Sequence, residues 1–155
     1  MFDLVQSATG VILLQALCEI PIGSSICYCG SVCKHDAALD KIMRGHDDFL
    51  VTTECNASIH VDASPIARSV YALVSNPWLH HRDEGSWKHM GLACLLKNDA
   101  CPNFVQKYDA DLSQIYFHST KRIEKGDILT ADCMRFTLDM TLHNAHFACV
   151  RYSWS

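Results

Sequence analysis

The sequence predicts an α+β fold that is mainly β with a few helices. Three observations predict it. Short runs rich in Val, Ile, Leu and Cys are punctuated by glycines, only two segments carry a helical apolar period, and one glycine-turn pattern occurs twice. The 155 residues fit one domain, 1–155, and 49% hydrophobic against 19% charged residues supply a core without disulfide staples.

Residues 11–33, interrupted by Gly23 and Gly30, read as short strands joined by tight turns. A helix follows, with Asp36 as its cap, Leu39, Ile42 and Met43 on one face, and Gly45 at its exit. Phe49 to Thr53 and Ile59 to Asp62 read as two strands around a turn at Asn56. Ser64-Pro65 opens a second helix, with Ser as cap and Pro at the first helical position. Ile66, Val70, Leu73 and Val74 form its buried stripe, and Pro77 ends it. Residues 76–90 form a polar loop with Trp78, Trp87, His80, His81 and His89. Ile115 to Ser119 and Ile128 to Asp132 read as strands, and the tail from Thr137 is apolar enough to pack against the body.

The repeated pattern is Ala16-x₃-Ile20-x₂-Gly23-x₂-Ile26, which recurs about 100 residues later as Ser119-x₃-Ile123-x₂-Gly126-x₂-Leu129. That spacing is too long for a stacked solenoid. It predicts two equivalent β-corners in one compact fold.

A net charge of −4 with no run of Lys or Arg argues against a nucleic-acid partner, since such binding rests on neutralising phosphates. No stretch approaches the roughly 20 apolar residues that span a bilayer. The first basic residue is Lys34, so the apolar run Val11 to Leu14 lacks the charge of a secretory signal. Asn56-Ala57-Ser58 fits a glycosylation acceptor but carries little meaning without secretion. The expectation is an intracellular, cytoplasmic protein whose nine cysteines are reduced.

The opening Ile20-Pro21-Ile22-Gly23 turn, followed by Ile26 and Tyr28-Cys29-Gly30, resembles the opening of SET domains. So does the closing block: Asn98-Asp99-Ala100-Cys101-Pro102-Asn103, the strand Ile115 to Ser119, Ile123-Glu124-Lys125-Gly126, and Ile128-Leu129-Thr130-Ala131-Asp132-Cys133. The likeness covers residues 10–33 and 91–133, with 34–90 as a variable insert holding two helices and a polar loop. The resemblance implies several small, mostly antiparallel sheets of the β-clip type, wound around a knot-like crossing (a pseudo-knot) of the closing segments.

It also implies a cleft for S-adenosylmethionine and an amine, from which the sequence departs. Cys133 stands at the family's methyl-transfer tyrosine and Ala131 at the tyrosine before it. Asp99 replaces the histidine of the Asn-His pair, and that alignment needs a one-residue deletion before Pro102; without it, Lys97 stands at the asparagine. The family's Gly-x-Gly turn is reduced to Ala8-Thr9-Gly10, and no Cys-x-Cys-x₄-Cys cluster follows Cys133. Methyl transfer needs a narrow channel and polar groups that orient the amine. Cysteine is shorter than tyrosine and a weaker donor. The channel is therefore expected to be wider and less polar, and lysine methylation to be lost.

The resemblance carries over Tyr28 to the substrate side, Gly10, Asn98, Asp99 and Cys101 to the cofactor side, and Asp132 to a mainly structural aspartate. Asn103 and Trp87 join the expected substrate pocket. Cys133 reads either as a nucleophile activated by His118, one strand away, or as an inert buried thiol. Cys27-Tyr28-Cys29-x₃-Cys33-x-His35 reads either as a loose metal-ligand set or as small core residues, and no metal site is expected of it. The loop around Trp87 reads as a lid or as solvated residues.

Three functions follow. The first is a repurposed enzyme whose widened cleft binds a small organic ligand, and cyclises or rearranges it with no required cofactor. The second is an S-adenosylmethionine-dependent methyltransferase acting on a lysine or another amine. The third is a non-catalytic binding or dimerisation module, the reading under which a homodimer is expected.

Overall fold

The computed structural model describes residues 1–46, 48–52, 60–74, 92–109, 114–132, 134–139 and 146–151. The chain opens on a hairpin, β1 (Phe2–Gln6) against β2 (Ile12–Ala16). Its tip turns at Gly10, whose φ of 84° suits a residue without Cβ. β3 (Ser25–Tyr28) and β4 (Ser31–Cys33) follow, then α1 (His35–Met43), β5 (Leu50–Thr52), β6 (His60–Asp62) and α2 (Ser64–Val74). A 3₁₀ turn (Ala93–Leu95) leads to β7 (Lys97–Asn98), β8 (Phe104–Asp109), β9 (Gln114–Ser119), β10 (Thr130–Ala131), β11 (Met134–Asp139) and β12 (His146–Arg151).

These strands form four small sheets: β1-β2, β3-β9-β8-β10-β7, β4-β6-β5 and β11-β12. The architecture is mainly β with two α-helices among the described residues, as the sequence predicts. All pairings are antiparallel except those of β10, which runs parallel to both β7 and β8. β10 therefore lies between two strands that are consecutive in the chain, and residues 99–103 arch over it. Asn103 fastens the arch. Its Oδ1 accepts from the Thr130 N–H at 2.7 Å, and its Nδ2 donates to the Ile128 carbonyl at 3.0 Å.

The two predicted glycine corners lie against each other. Ile20 and Ile123 exchange both backbone hydrogen bonds, at 2.9 and 3.0 Å. The Gly23 N–H donates to the Ser119 carbonyl at 2.9 Å, and its counterpart Gly126 donates to Ala16 at 2.8 Å. Each contact recurs at the equivalent position, so the corners obey a local two-fold relation. Both glycines have positive φ, 85° and 94°, which explains why the pattern needs glycine there.

The core gathers Leu14, Ile20, Leu92, Phe104, Ile115, Phe117, Ile123 and Leu129, all fully buried, from both ends of the chain. The insert adds its own small core, Ala38 and Leu50 with Cys33 and Ile42 packed against them.

Several local expectations are corrected. Lys34, not Asp36, holds the N-cap of α1, and Asp36 sits in its first turn. Met43 is 71% exposed, so Ala38, not Met43, completes the apolar face. The second helix begins at Ser64 itself; the Asp62 carboxylate caps it, accepting from the Ser64 N–H at 2.9 Å and its hydroxyl at 2.6 Å. The aspartate thereby satisfies the Ser64 N–H, one of the orphan donors of the first turn, which a cap at Ser64 itself would not serve. Ile128 to Asp132 contains only the two-residue β10; Asn103 takes the Ile128 carbonyl just before it and the Thr130 N–H at its start.

Candidate functional site

A cleft of about 410 Å³ opens where the hairpin, the insert and the approach to β7 meet. That falls within the range of small-molecule sites, roughly 300–1,000 Å³. One wall is Val11, Ile12 and Leu13, at the start of β2. Tyr28 ends β3, Phe49, Leu50 and Val51 come from β5 and its approach, and Tyr71 comes from α2. Cys94, Leu95 and Leu96 bring the chain to Lys97 and Asn98 on β7. The lining is mostly apolar, with Asp48, Lys97 and Asn98 supplying charge and amide groups.

Two hydroxyls are tied into the walls. Tyr28, 4% exposed, donates through its Oη to the Phe49 carbonyl at 2.7 Å, and its ring packs 6.0 Å from that of Phe117. The Tyr71 Oη accepts from the Ile12 N–H at 3.1 Å. These bonds lock the aromatic rings as fixed surfaces, which lowers the entropy lost when a ligand is held.

A second hollow of about 470 Å³ shares Asp48 and Phe49 with the first but is polar, lined by Lys41, His46, Asp62, Ser64 and Arg68 among others. Much of its charge is already balanced. Lys41 pairs with Asp62, whose side chain is 3% exposed. Burial raises the Asp62 carboxyl pKa, but hydrogen bonds from Lys41 and Ser64 outweigh that and hold it below its ordinary value. The same bond to Asp62 holds the Lys41 ammonium above its ordinary value.

Of the sequence-predicted residues, Tyr28 and Asn98 wall the same cleft although 70 positions separate them. Gly10 lies at the hairpin tip, immediately before the cleft residue Val11. Asp99 stands in the arch. Its N–H donates to the Ala131 carbonyl at 3.1 Å, and its Oδ1 accepts from the Cys101 N–H at 2.9 Å. Cys101 is exposed there, and Asn103 is the buried fastener. His118 is absent from the cleft lining; its Nδ1 is 2.7 Å from the Ser25 hydroxyl, and its ring stands edge-on to Tyr116. Asp132 is half-buried beyond β10. Cys133 and Trp87 lie outside the described residues.

Sequence reasoning missed the contributions of Phe49, Tyr71 and Cys94. Phe49 was legible only as a strand residue, and Tyr71 stands beside the predicted stripe of α2, one residue past Val70. The Cys27–Cys33–His35 group divides in two. Cys27 and Cys29 touch at 3.6 Å, whereas His35 Nδ1 lies 3.4 Å from His60 Nε2. No cluster of three metal-ligating side chains occurs among the described residues. The six described cysteines form no disulfide, and no described helix is long and apolar enough to cross a membrane.

Comparison with protein-family models and with curated proteins gives no match to this sequence.

Proposed function

We propose that this chain is a divergent SET-like protein that has given up lysine methylation and uses its cleft to bind a small, largely apolar organic ligand. The observation that carries this reading is the meeting of Tyr28 and Asn98, 70 positions apart in the chain, on one apolar hollow. The scaffold reading draws support from the paired glycine corners and from the arch over β10, the arrangement expected of a β-clip with a pseudo-knot. Ala131, fully buried on β10, brings no hydroxyl to the position where the resemblance expects a tyrosine. A wide apolar cleft with fixed aromatic walls suits holding a flexible molecule in one reactive conformation. Cyclisation or rearrangement needs no transferred group, and positioning alone accelerates such steps.

One observation favours a second reading, retained binding of S-adenosylmethionine. Asn98, which the resemblance assigns to that cofactor, lines the cleft, and Gly10, also assigned to it, immediately precedes the cleft residue Val11. Calorimetry on the reduced chain separates the two. S-adenosylmethionine is expected to give no micromolar binding and no methyl transfer to amines. The apolar probe anilinonaphthalene sulfonate is expected to bind the native chain at one site per molecule, and Leu13→Trp, which fills the hollow, to abolish it. Micromolar S-adenosylmethionine binding with methyl transfer ends the proposal, as does saturable probe binding that Leu13→Trp leaves unchanged.

A further inference from the structure

Cys27 and Cys29 are the one pair of described thiols in mutual contact, with sulfurs 3.6 Å apart, and both are half-buried. Cys27 ends its outward reach on two groups of β9. Its Sγ accepts from the Gln114 Nε2 at 2.8 Å and faces the Ile115 carbonyl at 3.7 Å. Cys29 lines a separate hollow of about 340 Å³ with Gly30, Val32, Val61 and Gln114, so one sulfur is reachable from solvent. Both thiols therefore point to a common place at the edge of a groove.

Distance decides which chemistry this pair fits. Cys29 lies one residue beyond the end of β3, and a disulfide would require its sulfur and that of Cys27 to close from 3.6 Å to about 2.05 Å. Two thiolates bound to one ion at about 2.3 Å lie roughly 3.8–4.0 Å apart at tetrahedral to trigonal angles. The observed separation needs to widen by only a few tenths of an ångström, with no backbone movement. Chelation fits and a disulfide does not.

The donor count then selects the ion. Cys33 is turned toward the Ser31 carbonyl at 3.7 Å and His35 toward His60, so neither completes a set with the two thiols. Zinc wants four ligands, whereas soft thiolates with few partners favour monovalent copper. We propose that Cys27 and Cys29 form a two-thiol site for a soft monovalent ion of the copper(I) class, completed by an exogenous thiol entering through the groove beside Cys29. Three S–H bonds break, those of Cys27, Cys29 and the exogenous thiol, three sulfur–metal bonds form, and three protons leave to solvent. No electron moves. Because the ligands bind as thiolates, uptake releases protons and strengthens as pH rises.

The test uses the full reduced chain under anaerobic conditions, with copper(I) presented as its bicinchoninate complex. The chain is expected to withdraw one equivalent, and Cys27→Ser or Cys29→Ser to weaken that uptake at least about tenfold, in line with the loss of a metal ligand. Cys18→Ser and Cys33→Ser are expected to leave it unchanged. As a readout on the unaltered protein, bound copper should protect Cys27 and Cys29 from alkylation, mapped by peptide mass. The proposal is overturned if no equivalent is withdrawn, if the two serine variants bind as the parent does, or if protection falls on other cysteines. None of these outcomes bears on ligand binding in the main cleft, which is a separate site.

Discussion

At the scale of single residues, Asn103 holds more of this fold than its size implies. It is 7% exposed, and its amide satisfies one donor and one acceptor of the strand it crosses. Asn103→Ala leaves the Thr130 N–H and the Ile128 carbonyl buried without that partner, a cost of about 1–3 kcal/mol each. Urea unfolding is expected to show a loss of about 2–4 kcal/mol, and a loss below about 1 kcal/mol would mean that the arch is held by other contacts. His60 gives a second prediction. Its side chain is fully buried, and burial, then the charge of His35, lowers its pKa below 6.5. The unfolded chain therefore takes up a proton before the folded chain does. Stability from this group is intact above pH 6.5 and falls as pH drops through 6.5 toward the lower folded value. His60→Gln is expected to flatten the decline in urea midpoint between neutral pH and about pH 5, and an unaltered slope would contradict it. Asp62 acts in a separate window. Its folded pKa lies below 3.8, so its contribution fades only as pH falls through 3.8 and below.

At the scale of elements, Gly30 sets how closely the β3–β4 turn approaches the insert. A Cβ there would stand 2.3 Å from the Asp62 carbonyl oxygen and 2.9 Å from the Ala63 nitrogen, both backbone atoms. Neither can swing aside. Gly30→Ala is expected to cost about 1–3 kcal/mol, the range for overpacking, and to weaken the β4–β6 pairing. Amide exchange in β6 measures it; protection equal to the parent's would mean that the turn shifts freely. How far elements could be read from sequence follows from how local their causes are. The α2 helix was legible because Ser64-Pro65 and the stripe through Ile66 and Val70 act within a few residues. Its true cap, Asp62, was not, since a strand-ending aspartate looks the same whether or not it turns back. The β1 strand was not legible, because an alternation as short as Phe2-Asp3-Leu4 is too brief to mark a strand. In the site, Tyr28 and Asn98 were legible through motifs. Phe49 and Tyr71 were not, because the insert's packing against β2 leaves no periodic trace.

At the scale of the whole molecule, the fold closes by joining the two ends of its chain. β3 pairs with β9 and the Ile20 corner pairs with the Ile123 corner, so the central contacts are distant in sequence. The repeated pattern was readable as two corners, but only their mutual hydrogen bonds reveal that each is the other's partner. This makes the corners a single energetic unit, with Ile20 and Ile123 both fully buried at its centre. Truncating either to Ala is expected to cost about 2–5 kcal/mol. The second truncation meets a corner already loosened, so the double variant should cost less than the two losses added, with a coupling of about 0.5–3 kcal/mol. Ile20→Val and Ile123→Val provide a gentler cycle, each at about 0.5–1.5 kcal/mol, should the alanine variants fail to fold. A matched pair taken from remote places, such as Ile20→Ala with Leu50→Ala in the insert's own core, should add without coupling. Simple additivity at the corners would separate them into independent turns. The joining of the two ends would then rest on the β3–β9 pairing and on the crossing that Asn103 fastens at β10, and the cleft between Tyr28 and Asn98 would depend on those two contacts.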